Sequence, residues 1–183
     1  SGLDIVVTGD TAAAGYAAFQ TDTGGGSVTT GAVTAGREVL LDGAGVVATG
    51  TLTASGGDVA VRSRDAGTIS LAGVTASDDV VVRGTAQVSI SGPVSAGSGA
   101  DVAGFGDTLR TSDGSVMLEG QTFDLTGGDI DIQAGSVTAT GALMATGSGA
   151  DVRVQSAGVV SMGAARAGRD VLVDGGAAVT TGL

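Results

Sequence analysis

Cysteine, histidine, lysine, asparagine and tryptophan are all missing from this 183-residue chain, and each absence closes off some chemistry. Without Cys there is no disulfide framework, and thiols say nothing about the redox compartment. Without His or Cys, neither a Ser/His/Asp nor a Cys/His arrangement can be built, and zinc loses its preferred ligands. Without Lys there is no Gly-Lys-Ser/Thr phosphate loop. Aromatic residues are 2% of the chain, with one Tyr and three Phe, so the large rings that fill ordinary cores are scarce. All eight cations are Arg, set against 19 acidic residues for a net charge of −11. Such a balance, with the acids spread out, argues against nucleic-acid binding and against anionic membrane surfaces. No apolar run approaches the ~20 residues a membrane helix needs.

What is present is small and evenly spread. Gly accounts for 35 residues and hydrophobic residues for 42%, mostly Val, Ala, Leu and Ile. The hydrophobic fraction and regular β-branched residues are what disordered segments lack, so an ordered chain with a thin, uniform core is expected. Internal repetition supports this. Val33–Gly43 (VTAGREVLLDG) matches Ala165–Gly175 (ARAGRDVLVDG), with a third copy at Val74–Gly84 (VTASDDVVVRG). An acidic residue followed by apolar-x-apolar recurs at Asp4, Glu38, Asp58, Asp79, Asp101, Asp129, Asp151 and Asp170. From Glu38 the steps are 20, 21, 22, 28, 22 and 19 residues. Leu52-Thr-Ala, Val74-Thr-Ala, Val94-Ser-Ala and Leu143-Met-Ala precede many of these strands. Ile69-Ser-Leu, Val88-Ser-Ile, Phe123-Asp-Leu, Val137-Thr-Ala and Val179-Thr-Thr follow them.

Each unit therefore holds about three short strands with period-2 alternation, separated by Gly, Ser and Asp turns. One coil cannot bury its own inward residues, so coils must stack, each strand pairing with its equivalents at ~4.7–4.9 Å. The pattern predicts an all-β chain: a parallel β-helix (β-solenoid), expected right-handed, of about eight coils of 20–22 residues. A propeller, the main competitor, needs four strands per unit and larger interface residues. Residues 1–31 are read as an irregular first coil or cap, with an Ala-rich insertion at Thr11–Gln20. Residues 32–183 are read as β-helix repeats with an excursion at about 104–117. Ser1–Asp10 has no charged segment leading into an apolar run, so no secretory signal is read there; the whole is taken as one solenoid, a piece of a longer chain.

Stretches such as Gly50-Thr-Leu-Thr-Ala-Ser-Gly-Gly-Asp-Val-Ala-Val and Gly135-Ser-Val-Thr-Ala-Thr-Gly-Ala-Leu resemble the degenerate repeats of filamentous-haemagglutinin-like exoproteins of Gram-negative bacteria, which leave by two-partner secretion. The resemblance covers the chain from about Val28. It departs in having no Asn, in which those repeats are rich, and no secretion-domain motif is present. The resemblance implies secretion or display at the bacterial cell surface, a β-helical shape, and service as a spacer or adhesin. Its partners would be a host or bacterial surface receptor or glycan, with end-to-end self-association also open. A carbohydrate-binding or carbohydrate-processing β-helix and a self-assembling filament subunit are the alternatives.

No catalytic, metal-binding or cofactor-binding residue is assigned, and no enzyme is expected. Gly97-Ser-Gly-Ala-Asp101 and Gly147-Ser-Gly-Ala-Asp151 look like fragments of calcium-binding nonapeptides, but those need tandem copies. They are read as Gly-rich turns. Asp78-Asp79 and Asp129/Asp131 are the closest carboxylate pairs, and are read as members of a stacked acidic ladder, not as the flanking pair of a glycosidase. Thr51-Leu-Thr53 and Thr138-Ala-Thr140 do not extend to a continuous Thr row of the ice-ordering kind. Arg62, Arg64, Arg83 and Arg153 are expected to pair with Asp residues of neighbouring coils, with an anion-binding stripe as the other possibility.

Overall fold

The computed structural model describes residues 2–22, 24–97 and 128–182, and the backbone of two short strands at 117–118 and 121–122. Among these residues there is no helix, hence none long and apolar enough to cross a membrane. The first coil holds β1 (Ile5–Val7), β2 (Thr11–Ala13) and β3 (Ala17–Gln20), and the second β4 (Val28–Thr30), β5 (Val33–Ala35) and β6 (Val39–Gly43). In the third and fourth coils the first two strands merge, giving β7 (Val47–Ala54) with β8 (Val59–Ser63), then β9 (Ile69–Ala76) with β10 (Val80–Gly84). The fifth coil holds β11 (Gln87–Ile90) and β12 (Val94–Ala96). An antiparallel pair, β13 (Met117–Leu118) and β14 (Gln121–Thr122), precedes its third strand, β15 (Ile130–Ala134). β16 (Ser136–Ala139), β17 (Leu143–Ala145) and β18 (Val152–Ser156) form the sixth coil. β19 (Val159–Met162), β20 (Ala165–Arg166) and β21 (Val171–Gly175) form the seventh, and β22 (Ala178–Thr181) starts another.

Every pairing between coils is parallel and in register. Third strands form a seven-stranded sheet from β3 to β21, while first and second strands share a 13-stranded sheet. The chain is thus a β-solenoid of about seven turns. Its core is a set of ladders: Val28, Val47, Ile69, Val88, Val137 and Val160 along the first strands, all at most 1% exposed. Ala35, Ala54, Ala76, Ala96 and Ala145 stack at the end of the second strands, where the chain turns and little width is left. Burying one Val contributes about 1.5–3 kcal/mol, and each ladder repeats that gain coil after coil. The last rung shows what a neighbour contributes: Val160 is fully buried, whereas Val179, one rung further on, is 45% exposed.

Three readings of the sequence need correction. The Ala-rich stretch Thr11–Gln20 is no insertion. Its two strands lie in register with β5 and β6, because Ala13 and Phe19 sit on the inward parity that Ala35 and Leu41 continue. Asp4 does not belong with Glu38, since β1 stacks on β4 in the first-strand ladder. And Asp101 is not the rung between Asp79 and Asp129: β10 pairs directly with β15, so Asp129 stacks on Asp79 across 50 residues. Asp101, Phe123 and most of the excursion placed at 104–117 lie outside the described residues. Where the chain rejoins the solenoid, Gly128 holds φ +76°, and a Cβ there would run into the carbonyl oxygen of Gly97. Only glycine meets both demands.

Candidate functional site

The polar chemistry lies along the third strands. Alternation sends Val39 and Leu41 inward and Leu40 and Asp42 outward, and parallel register carries the outward positions from coil to coil. One outward ladder reads Gln20, Asp42, Arg62, Arg83, Gln133, Gln155, Asp174. Arg62 grips Asp42 in bidentate fashion, Nε to Oδ1 at 3.1 Å and Nη2 to Oδ2 at 2.8 Å. Arg64 approaches the same carboxylate at 3.1 Å and donates to the carbonyl of Thr21. Asp131, one outward position earlier, is fully buried between two arginines. Arg83 Nη2 reaches its Oδ2 at 2.5 Å, and Arg153 donates through Nε at 2.9 Å and again through Nη2. Burial pushes the Asp131 carboxyl up, but the charge of Arg83 and the hydrogen bonds from Arg153 and Arg83 outweigh it. Its pKa lies below the ordinary carboxylate value.

A second polar ladder runs through the turn before the third strands. Asp58 Oδ1 accepts the N–H of Asp79 at 3.2 Å, and Asp79 Oδ1 that of Asp129 at 2.8 Å. Asp129 Oδ1 takes the N–H of Asp151 at 2.6 Å, and Asp151 Oδ1 that of Asp170 at 3.0 Å. Each acid satisfies a backbone donor of the following coil, which a buried N–H requires. Asp4 does the same in the first-strand turn for Ser27 at 2.8 Å. In the first coil Tyr16 replaces the acid, and the Arg37 guanidinium sits 4.8 Å from its ring centre. Stacking also brings Asp58, Asp78 and Asp79 together: one oxygen of each lies within 4.8 Å of the others, and all three are buried. This all-oxygen donor set is of the type hard divalent cations take, so these are the residues that would hold one. The sequence reading assigned no metal ligand because these acids come from consecutive coils. Asp151, by contrast, is bonded by Arg169 (Nε to Oδ1 at 3.0 Å, Nη2 to Oδ2 at 2.5 Å), which raises the Arg169 pKa.

Two connected hollows follow the corner where third strands turn toward the next coil. One of 270 Å³ is lined by Arg62, Arg64 and Arg83; the other, of 530 Å³, runs past Gln155 and Ser156 to Asp174; Gly84, Thr85 and Gln133 belong to both. Their floor is small, with Gly84, Ala134, Gly135, Ala157 and Gly176 at successive coils. Two buried donors in this groove make no hydrogen bond, Arg64 Nε and Gln133 Nε2. The opposite, 13-stranded sheet carries an outer face of hydroxyls: Ser70, Ser89, Thr138, Ser161 and Thr180 in one row, and Thr34, Thr53, Thr75 and Ser95 in another. The second row ends at Met144 and Arg166. The rows mix Ser with Thr, as the sequence led one to expect.

Of the residues singled out in the sequence, Arg62 and Arg64 converge on Asp42, and Arg83 and Arg153 on Asp131. Asp78 and Asp79 join Asp58, while Asp129 and Asp131 serve different ladders. Sequence reasoning missed Gln133 and Gln155, which carry no local motif. They are found only by counting one coil apart along the third strands. What the fold and its ladders define is a parallel β-solenoid repeat protein. Comparison with family models, curated proteins and solved structures returns no match.

Proposed function

We propose that this chain is a shaft segment of a secreted or surface-exposed bacterial exoprotein, which attaches cells or spaces a distal functional domain. The observation that carries the reading is the commitment of side chains to coil-on-coil contact. Inward residues form apolar ladders, the turn acids bond the next coil's backbone, and the outward arginines tie neighbouring coils through Asp42 and Asp131. Such a rod resists bending and carries recognition along its length, as extended repeat surfaces do. The resemblance of its repeats to filamentous-haemagglutinin-like exoproteins supports export and display.

The test is binding of the fluorescently labelled protein to bacterial and host cells, with and without calcium, alongside small-angle scattering. A rod cross-section with saturable cell binding supports the adhesive shaft. A rod that binds neither cell type restricts the function to spacing, and a compact globule overturns the reading.

A further inference from the structure

We infer that the groove along the third-strand corner is a binding site for an extended, carboxylate-bearing oligosaccharide lying parallel to the solenoid axis. The inference rests on the adhesive half of the function proposed above. Three observations carry it. The two hollows share Gly84, Thr85 and Gln133, so they form one trough crossing the coils of β8, β10, β15, β18 and β21. At ~4.8 Å per rung, Arg62 and Asp174 stand four rungs apart, roughly 19 Å, the span of an extended ligand and not of a small one.

The lining is hydrogen-bonding throughout, and it is graded. Arginines stand at one end, the amides of Gln133 and Gln155 in the middle, and the Asp174 carboxylate at the other. Arginine matches a carboxylate's geometry, amides serve sugar hydroxyls as donor and acceptor, and Asp174 accepts from hydroxyls. Finally, Arg64 Nε and Gln133 Nε2 are buried donors with no acceptor. Buried donors are nearly always paired, and an acceptor-rich chain in the trough pairs both. The glycine and alanine floor lets such a chain lie close to the backbone.

The protein offers a clean readout, because it has five glutamines and no asparagine. The side-chain amide region of a nitrogen–proton correlation spectrum therefore holds five pairs. Titration with tetragalacturonate is expected to move the Gln133 and Gln155 pairs in a saturable way and leave the Gln87 pair still. The neutral counterpart, cellotetraose, should bind about tenfold more weakly, as should tetragalacturonate to Gln133→Leu. Gln87→Leu is the control, and an unchanged backbone spectrum shows that each variant is folded. Still Gln133 and Gln155 pairs at millimolar ligand overturn the site, as does undiminished binding by Gln133→Leu. Equal binding of the neutral sugar overturns the carboxylate requirement. Cell binding without oligosaccharide binding refutes this inference while leaving the adhesive shaft intact.

Discussion

Replacing Asp131 by Ala removes the one carboxylate that both Arg83 and Arg153 hold. The arginine side chains are 8% and 2% exposed and the carboxylate 0%, so solvent cannot take over the lost partner. Breaking a buried ion pair by deleting one member costs about 3–5 kcal/mol, chiefly because the remaining charge stays buried. With two arginines left behind, Asp131→Ala should fall in the upper part of that range. The triple replacement Arg83→Met, Asp131→Leu, Arg153→Met should cost far less, or stabilise, since apolar substitutes for buried charges often do. Urea unfolding followed by far-ultraviolet circular dichroism measures both, Tyr16 being the lone tyrosine and no tryptophan being present. The pH dependence carries the same signature. The folded pKa of Asp131 is depressed, so its contribution is present above the unfolded value of ~3.9 and is lost as pH falls through the folded pKa. Acid destabilisation below about pH 4 should accordingly be smaller in the triple variant. A loss below ~1 kcal/mol in Asp131→Ala, the value of an exposed pair, would refute the account.

Asp129→Ala leaves the buried N–H of Asp151 without its acceptor and should cost about 1–3 kcal/mol. Asp129→Asn keeps an oxygen at Oδ1 and should cost visibly less, as paired thermal melts would show. Gly128→Ala forces a Cβ both into φ +76° and against the Gly97 carbonyl. Its destabilisation should exceed the ~1 kcal/mol typical of left-handed strain alone; a melting temperature matching the parent's would contradict this.

Much of the fold was legible because a solenoid writes its period into the chain. The Val-x-Ala and acid-apolar-x-apolar units needed only counting, and Leu52, Val74, Val94 and Leu143 all fall in one ladder, as their spacing suggests. Counting failed where a three-residue marker occurred out of frame. Asp4 has the same neighbours as Asp58 but belongs to another strand path, and Asp101 repeats the marker inside the excursion. In the first coil the marker is absent, Tyr16 standing in its place, so that coil read as a cap. Register across 50 residues is a tertiary fact, set by which strands bury their inward faces together. For the same reason the arginines could be named as pairing residues while Asp42 and Asp131 could not be assigned to them.

The distribution of chemistry around the rod follows from the same rule. Every coil contributes one residue to each ladder, so a property of the surface is a property of a column and not of any one coil. The 13-stranded sheet shows hydroxyls in its columns, and the seven-stranded sheet shows arginine, amide and carboxylate in sequence. A catalytic cluster asks for several different groups at one depth, which neighbouring coils supply only when their registers coincide, as at Asp58, Asp78 and Asp79. An extended ligand asks instead for one modest contact per rung, which is what a column provides. Affinity in such a site is spread over several coils. Adding or deleting a coil would then lengthen or shorten the recognised chain without altering its chemistry, a tolerance that a pocket built from loops does not have.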